Sequence, residues 1–105
     1  MIKVTYYVGT CDKNTCQKEL LDRDFHKVFD ELFENYTLQR AQGVYTMQDT
    51  RTVIKEDTFI VTTFIDECTG GTLKIHIQDK CNILKNVLNQ ESILVEISTP
   101  EIKFL

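Results

Sequence analysis

The fold of this chain is decided by the stretch DFHKVFDELFENY, residues 24–36, whose large apolar side chains recur at the spacing of one α-helical face. That face carries Phe25, Val28, Phe29, Leu32, Phe33 and Tyr36. At about 1.5–3 kcal/mol for each fully buried large side chain, burial of the stripe contributes on the order of 10 kcal/mol before chain entropy is counted. A lone helix cannot bury its own apolar face, so the sequence predicts a helix packed on a sheet or on a second helix.

Four strand-like segments surround this helix. They are rich in β-branched and aromatic side chains, and the first and last alternate between apolar and polar residues. The predicted strands cover residues 2–8, 36–47, 52–65 and 93–98. The two middle strands are separated only by a short turn at 48–50, which predicts a hairpin.

A second helix is predicted between the hairpin and the last strand. It follows a loop over 66–72 that contains Gly70-Gly71, and it ends at Asn89-Gln90. Its apolar face carries Ile77, Cys81, Leu84 and Leu88. The order β-α-β-β-α-β predicts an α+β ferredoxin-like sandwich, a four-stranded antiparallel sheet with both helices on one face. We expect one such domain over residues 1–105.

The amino-acid composition argues against several classes of function. The chain has 105 residues, 42% of them hydrophobic and 27% charged, with a net charge of −4. An acidic balance argues against a general nucleic-acid binder, which needs a basic surface. No run approaches the ~20 apolar residues of a membrane span. The strand-like start lacks the basic-then-apolar pattern of a signal peptide, so we expect a cytoplasmic protein.

Cysteine and histidine could in principle form a metal site. Cys11, Cys16, Cys68 and His76 supply the right ligand types for zinc, but the C-x4-C spacing is wider than that of typical metal knuckles. In the cytoplasm the thiols are expected to be reduced, and Cys81 fits the helix core as a small apolar residue. The sequence therefore predicts no metal and no cofactor.

No catalytic residue is predicted either. His26 lies on the polar face of the first helix, and His76 has no evident orienting group beyond its closeness to Cys68 in sequence. The neighbouring carboxylates Glu56 and Asp57 should point to opposite faces of a strand. We interpret them as edge-strand charges that discourage aggregation.

The uncovered face of the sheet is the predicted functional surface. If Ile2, Val4, Tyr6 and Val8 point to the helices, Tyr7 points away from them. The third strand then exposes either its odd-numbered or its even-numbered residues between 58 and 65, and both sets contain large apolar side chains. We predict a binding or dimer face containing Tyr7, Tyr45 and Phe64, and favour a homodimer over aromatic stacking on bases.

Several short patterns resemble a known group of proteins. They are Tyr7-x-Gly9, Asp12-Lys13-x-Thr15-x-Gln17-x-Glu19, Tyr36-Thr37, Ala41-x-Gly43-x-Tyr45 and Glu56-Asp57-Thr58. Together they resemble small uncharacterised ferredoxin-like proteins of phages and mobile elements, over residues 6–65 and more weakly over 88–95. The resemblance brings no catalytic set, and it implies a compact product of the kind that blocks a host defence system by binding.

Two functions from different classes remain open. The first is a non-enzymatic interaction module, a phage-type inhibitor that binds a host protein or sequesters a small signalling nucleotide. The alternative is a small dimeric α/β-barrel enzyme with an apolar pocket on the sheet face, lined by Tyr7, Tyr45 and Phe64. The enzyme needs an ionisable group on that face. Neither histidine is expected there, which favours the interaction module.

Overall fold

A computed structural model describes residues 1–10, 22–66, 70–90 and 92–105 and has the predicted order of elements. These elements are β1 (Ile2–Gly9), α1 (Asp22–Leu32), β2 (Thr37–Thr46), β3 (Val53–Ile65), α2 (Gly70–Leu88) and β4 (Leu94–Ser98). The strands form one sheet in the order β2-β3-β1-β4, and each neighbouring pair is antiparallel. The predicted α+β ferredoxin-like sandwich is confirmed.

The core lies between the two helices and one face of the sheet. Alternation in β1 places Ile2, Val4, Tyr6 and Val8 in this core, as predicted. The central residue of α1 is Phe29, whose ring centroid lies 5.8–6.5 Å from those of Phe25, Phe33, Tyr36 and Phe59. From α2, the predicted set Ile77, Cys81, Leu84 and Leu88 is buried in the same cluster.

Helix α1 ends at Leu32, four residues before the apolar stripe ends at Tyr36. Asn35 instead acts as a bridge to β3: its amide donates to the Phe64 carbonyl and its side-chain oxygen accepts from the Phe64 amide, both at 3.0 Å. The hydroxyl of Thr63 donates to the Asn35 backbone carbonyl at 2.7 Å. The Asn35 side chain thus bonds to the β3 backbone as a neighbouring strand would. These bonds compete with continued helix, so α1 ends without glycine or proline.

Helix α2 begins at Gly70, so the prediction that Gly70 and Gly71 belong to a loop is wrong. Glycine disfavours a helix by about 1 kcal/mol per residue, but packing of the helix as a whole outweighs this. At the other end Asn89 adopts a left-handed backbone, φ 48°, and the Gln90 amide donates to the Lys85 carbonyl at 3.0 Å. This is a Schellman-type helix end with asparagine in the place of glycine.

The β2–β3 hairpin extends beyond the rest of the sheet. Strand β1 pairs with β3 from Ile65 as far as Thr58, opposite Gly9, whereas β2 stays paired with β3 as far as Val53. Residues 53–57 of β3 therefore lie past the end of β1. Among the helices that the structure describes, none has the length and hydropathy needed to cross a membrane.

Candidate functional site

The register of the sheet decides which side chains face away from the helices. In β3, Phe59, Val61 and Thr63 are buried toward the helices, so Thr58, Ile60, Thr62 and Phe64 form the outward set. Strand β1 contributes Lys3, Thr5 and Tyr7 to the same side. Their pairing partners in β4, which also lie on this side, are Ser98, Glu96 and Leu94. We call this side the open sheet face.

The three residues predicted for this face are spread along it. Tyr7 pairs with Ile60, Phe64 pairs with Lys3, and Tyr45 pairs with Ile54. Ile54, Ile60 and Phe64 are separated by even numbers of residues in β3, so these three side chains lie on the same face of that strand. At about 3.3 Å per residue, however, the ten residues from Ile54 to Phe64 span roughly 33 Å. The structure does not bring Tyr7, Tyr45 and Phe64 together in one pocket.

A shallow groove around Tyr7 crosses the open sheet face and is lined by residues of all four strands. Its volume is about 340 Å³, and Lys3, Thr5, Gln39, Thr62 and Ser98 contribute to its lining. The Tyr7 hydroxyl donates to the Glu96 carboxylate. That hydrogen bond raises the pKa of the Tyr7 phenol above its ordinary value, because the carboxylate favours the protonated form. This groove is polar, in contrast to the apolar surface that the sequence predicts.

A second polar arrangement lies at the end of β1, where two glycines flank a carboxylate. Gly43 pairs directly with Glu56, and Gly9 pairs with Thr58 two residues further along. A Cβ atom on Gly9 would lie 2.7 Å from Glu56 Oε1 and 2.9 Å from Gln90 Oε1. A Cβ atom on Gly43 would lie 2.6 Å from Thr58 Oγ1. We call these five residues the Glu56 cradle.

The Glu56 cradle is rich in hydrogen-bond acceptors. The side-chain oxygens of Glu56 and Gln90 lie close to Gly9, and the Thr58 hydroxyl lies close to Gly43. Glu56 is half-buried. Oxygen acceptors with a net negative charge suit a cation such as an ammonium group. The absence of a side chain at Gly9 and Gly43 lets these polar side chains approach the strand backbone closely.

Sequence reasoning missed Glu56 because it was interpreted as an edge-strand charge. Strand β3 is central only from Thr58 to Ile65. At Glu56 it pairs with β2 alone, so the interpretation of Glu56 and Asp57 as edge-strand charges stays a prediction, and what it overlooked is the closeness of Glu56 to Gly9. The adjacent Asp57 is exposed, and its backbone carbonyl accepts from the amide and hydroxyl of Thr10. Gly9 and Gly43, both within strands, are the signal that could have identified this place.

The other residues considered for chemistry lie elsewhere. His26 is exposed on α1, and His76 is exposed on α2, on the helix side of the sheet. Cys81 is buried, which raises the pKa of its thiol. Cys11, Cys16 and Cys68 lie outside the described residues, so the predicted alternatives for them stay predictions. Within residues 1–10, 22–66, 70–90 and 92–105, no group of three or more potential ligands could hold a metal ion.

Comparison with known proteins gives structural matches alone. No family model and no curated protein sequence matches this chain. A phage SAM lyase in complex with S-methyl-5'-thioadenosine is similar over 92% of this chain and 79% of its own, at 18% identity and a TM-score of 0.69. The apo state of a phage SAM lyase matches over 92% and 78%, at 19% identity and a TM-score of 0.67.

These matches change the functional interpretation. The prediction of a non-enzymatic interaction module is contradicted, because the two similar structures reported above are of a lyase. The alternative of a small enzyme agrees with them better. Both matched proteins come from phages, in line with the resemblance found in the sequence, but neither is an uncharacterised protein. What the comparison establishes for this chain is its fold.

Proposed function

We propose that this protein is a lyase that cleaves S-adenosylmethionine, releasing S-methyl-5'-thioadenosine, and that the open sheet face holds the site. The observation that carries the proposal is the structural likeness, over 92% of the chain, to a phage SAM lyase with S-methyl-5'-thioadenosine bound. The acceptor-rich Glu56 cradle supports it, since the substrate carries an ammonium and a sulfonium group.

The proposed reaction needs no acid, base or cofactor. The carboxylate of the substrate attacks its own γ-carbon, a new C–O bond closes a lactone, and the C–S bond breaks. The sulfur takes the bonding pair and leaves as a neutral thioether, so atoms, charge and protons balance without water. Such a step depends mainly on holding the substrate in a folded, near-attack conformation. A chain without an evident catalytic set is compatible with this chemistry.

Electrostatics favours a site that is poorly solvated. A carboxylate and a sulfonium neutralise each other as the lactone forms, so a surrounding of low polarity lowers the barrier. The ammonium group keeps its charge throughout and needs a fixed partner. In the proposed complex the Glu56 carboxylate binds this ammonium, with the Gln90 and Thr58 oxygens as further acceptors. The net charge of −4 favours the approach of a cationic substrate.

Turnover of the substrate is the direct test. Purified protein incubated with S-adenosylmethionine should release S-methyl-5'-thioadenosine well above the uncatalysed rate, as measured by liquid chromatography with mass spectrometry. S-adenosylhomocysteine, which has a neutral thioether in place of the sulfonium, should stay intact under the same conditions because its leaving group is a thiolate. Absence of S-methyl-5'-thioadenosine above the protein-free control would contradict the proposal.

Association of two chains through the open sheet face is proposed as well, since one copy leaves the Glu56 cradle and the Tyr7 groove uncovered. Light scattering should then give about twice the monomer mass of 12.2 kDa. Tyr7→Glu places a carboxylate in the proposed interface, where burial of an unpaired charge is costly, so the change should shift the protein toward the monomer. Lys27→Gln, on the exposed side of α1, makes the same net charge change of −1 and should leave the mass unchanged. A monomeric wild-type protein would contradict the proposed dimer.

A further inference from the structure

The Tyr7 groove lies beside the Glu56 cradle on the open sheet face. On β1, Gly9 is the next position after Tyr7 with the same orientation, because the two are separated by one residue. Two residues of a strand span about 7 Å, so a ligand larger than an amino acid reaches both places. The ammonium of the proposed substrate is assigned to Glu56, whereas its nucleoside half has so far no place.

The hydrogen bond between Tyr7 and Glu96 holds the Tyr7 ring across the strands. Tyr7 pairs with Leu94 and Glu96 pairs with Thr5, so this bond follows the diagonal of the β1–β4 ladder. Thr5 points to the open sheet face but is only 8% exposed, so neighbouring side chains cover it. Tyr7 itself is half-buried. A ring fixed in this way, with one side on the sheet and the other toward the groove, is a platform on which a base can stack.

The charges of the groove balance. Of the lining residues that the structure describes, Lys3 and Glu96 alone are charged, and they have opposite signs. Such a lining favours neither a cation nor an anion. The other polar groups are hydroxyls and one amide, which offer donors and acceptors to a neutral polar ligand. They belong to Thr5, Gln39, Thr62 and Ser98.

Glu96 can accept further hydrogen bonds. A carboxylate has about four acceptor sites, and the Tyr7 hydroxyl uses one of them. The two neighbouring hydroxyls of a ribose are donors that can share one carboxylate, as in dinucleotide sites where an acidic residue binds the ribose. The same carboxylate repels a phosphate, so a nucleoside fits the groove better than a nucleotide does.

We infer that the Tyr7 groove binds the adenosine half of S-adenosylmethionine, with the base stacked on the Tyr7 ring and the ribose diol donating to Glu96. This inference rests on the proposed lyase function and adds the residues that recognise the nucleoside. The ammonium at Glu56 and the nucleoside at Tyr7 then fix the two ends of the substrate, and the sulfonium lies between them. That arrangement restricts the flexible chain that must fold for the lactone to close.

The ribose contact is tested with adenosine and 2'-deoxyadenosine, which differ in one hydroxyl of the diol. Calorimetric titration should show about tenfold weaker binding of 2'-deoxyadenosine to the wild-type protein, because a charge-assisted hydrogen bond is lost. Glu96→Ala should bind both nucleosides with equal affinity. A purely structural role of Glu96 would lower the two affinities alike and leave their ratio unchanged. Glu96→Gln keeps an acceptor oxygen, so adenosine binding should weaken only about threefold.

The stacking contact is tested by Tyr7→Leu, which should weaken adenosine binding about tenfold or more because the aromatic platform is lost. Tyr7→Phe keeps the ring and should stay within about threefold of the wild-type affinity. Phe104→Leu makes the same kind of change at an 89% exposed residue outside the groove lining, and it should leave the affinity unchanged. Circular dichroism spectra check that each variant is folded.

These titrations need no turnover, so their result is separate from that of the lyase assay. Adenosine binding with the expected ratios but without cleavage of S-adenosylmethionine would contradict the lyase and support the nucleoside site. If cleavage occurs, Tyr7→Leu should raise KM about tenfold with little change in kcat, since the nucleoside does not react. Undetectable binding of adenosine at millimolar concentration, an unchanged preference for adenosine in Glu96→Ala, or wild-type affinity in Tyr7→Leu would each overturn the inference.

Discussion

Replacing Glu56 with Gln should lower kcat/KM for release of S-methyl-5'-thioadenosine about 100-fold, because an ammonium loses its charged partner. The change keeps the shape of the side chain and removes only its charge, so the fold should remain intact. The measurement is the initial rate of product release over a range of S-adenosylmethionine concentrations. Since the ammonium charge is the same in substrate and transition state, a large part of the loss should appear as a raised KM.

Glu96→Gln is the matched control for this experiment. Glu96 is a carboxylate on the same open sheet face, bonded to Tyr7 rather than placed in the Glu56 cradle. It should change kcat/KM far less than Glu56→Gln does. Gly9→Ala adds a geometric test, because its Cβ would meet the Glu56 carboxylate at 2.7 Å and displace it. If Glu56→Gln and Glu96→Gln have equal effects, the substrate ammonium does not bind at Glu56.

Replacing Phe29 with Ala should destabilise the protein by about 3–5 kcal/mol, the cost of truncating a fully buried aromatic side chain. Phe29 is 0% exposed and contacts four other aromatic rings, so the cavity cannot close easily. Urea denaturation followed by circular dichroism measures the free energy of unfolding.

Ile75→Ala is the control, since Ile75 is 65% exposed on α2. This change should lower the free energy of unfolding by less than about 0.5 kcal/mol. If the Phe29→Ala protein is too unstable to purify, Phe29→Leu measures the same site with a smaller change. A loss below about 1 kcal/mol for Phe29→Ala would mean that the face of α1 has been assigned wrongly.

The fold was predictable because it depends on periodicity, which is local. The spacing of Phe25, Phe29 and Phe33 identifies the helix, and the alternation in β1 assigns Tyr6 inward and Tyr7 outward. Helix ends were less predictable because distant residues determine them. Asn35 lies just after α1, and its side chain accepts a hydrogen bond from the backbone amide of Phe64, which is 29 residues away in the chain.

The candidate functional residues are brought together by the pairing of distant strands and the packing of the helices. Hydrophobic periodicity in the sequence does not show which residues become neighbours in this way. Alternation left two outward sets open for β3, and only pairing with β1 selects the one containing Thr58 and Phe64. Glu56 meets Gly9 through this register, and Gln90 reaches Gly9 from the end of α2. In both cases the sequence shows the residue types but not the neighbour that gives them a role.

The left-handed turn at Asn89 has a consequence for how this protein would respond to systematic mutagenesis. That turn ends α2 and brings Gln90 to the Glu56 cradle, so the position of a proposed ligand contact depends on the backbone of its predecessor. Glycine tolerates this conformation, whereas valine or isoleucine resists it. In a scan of every substitution, position 89 should therefore accept glycine and reject β-branched residues. In such a scan, substitutions at position 89 would lower activity as substitutions of a ligand-binding residue do, because they change the backbone conformation that positions Gln90.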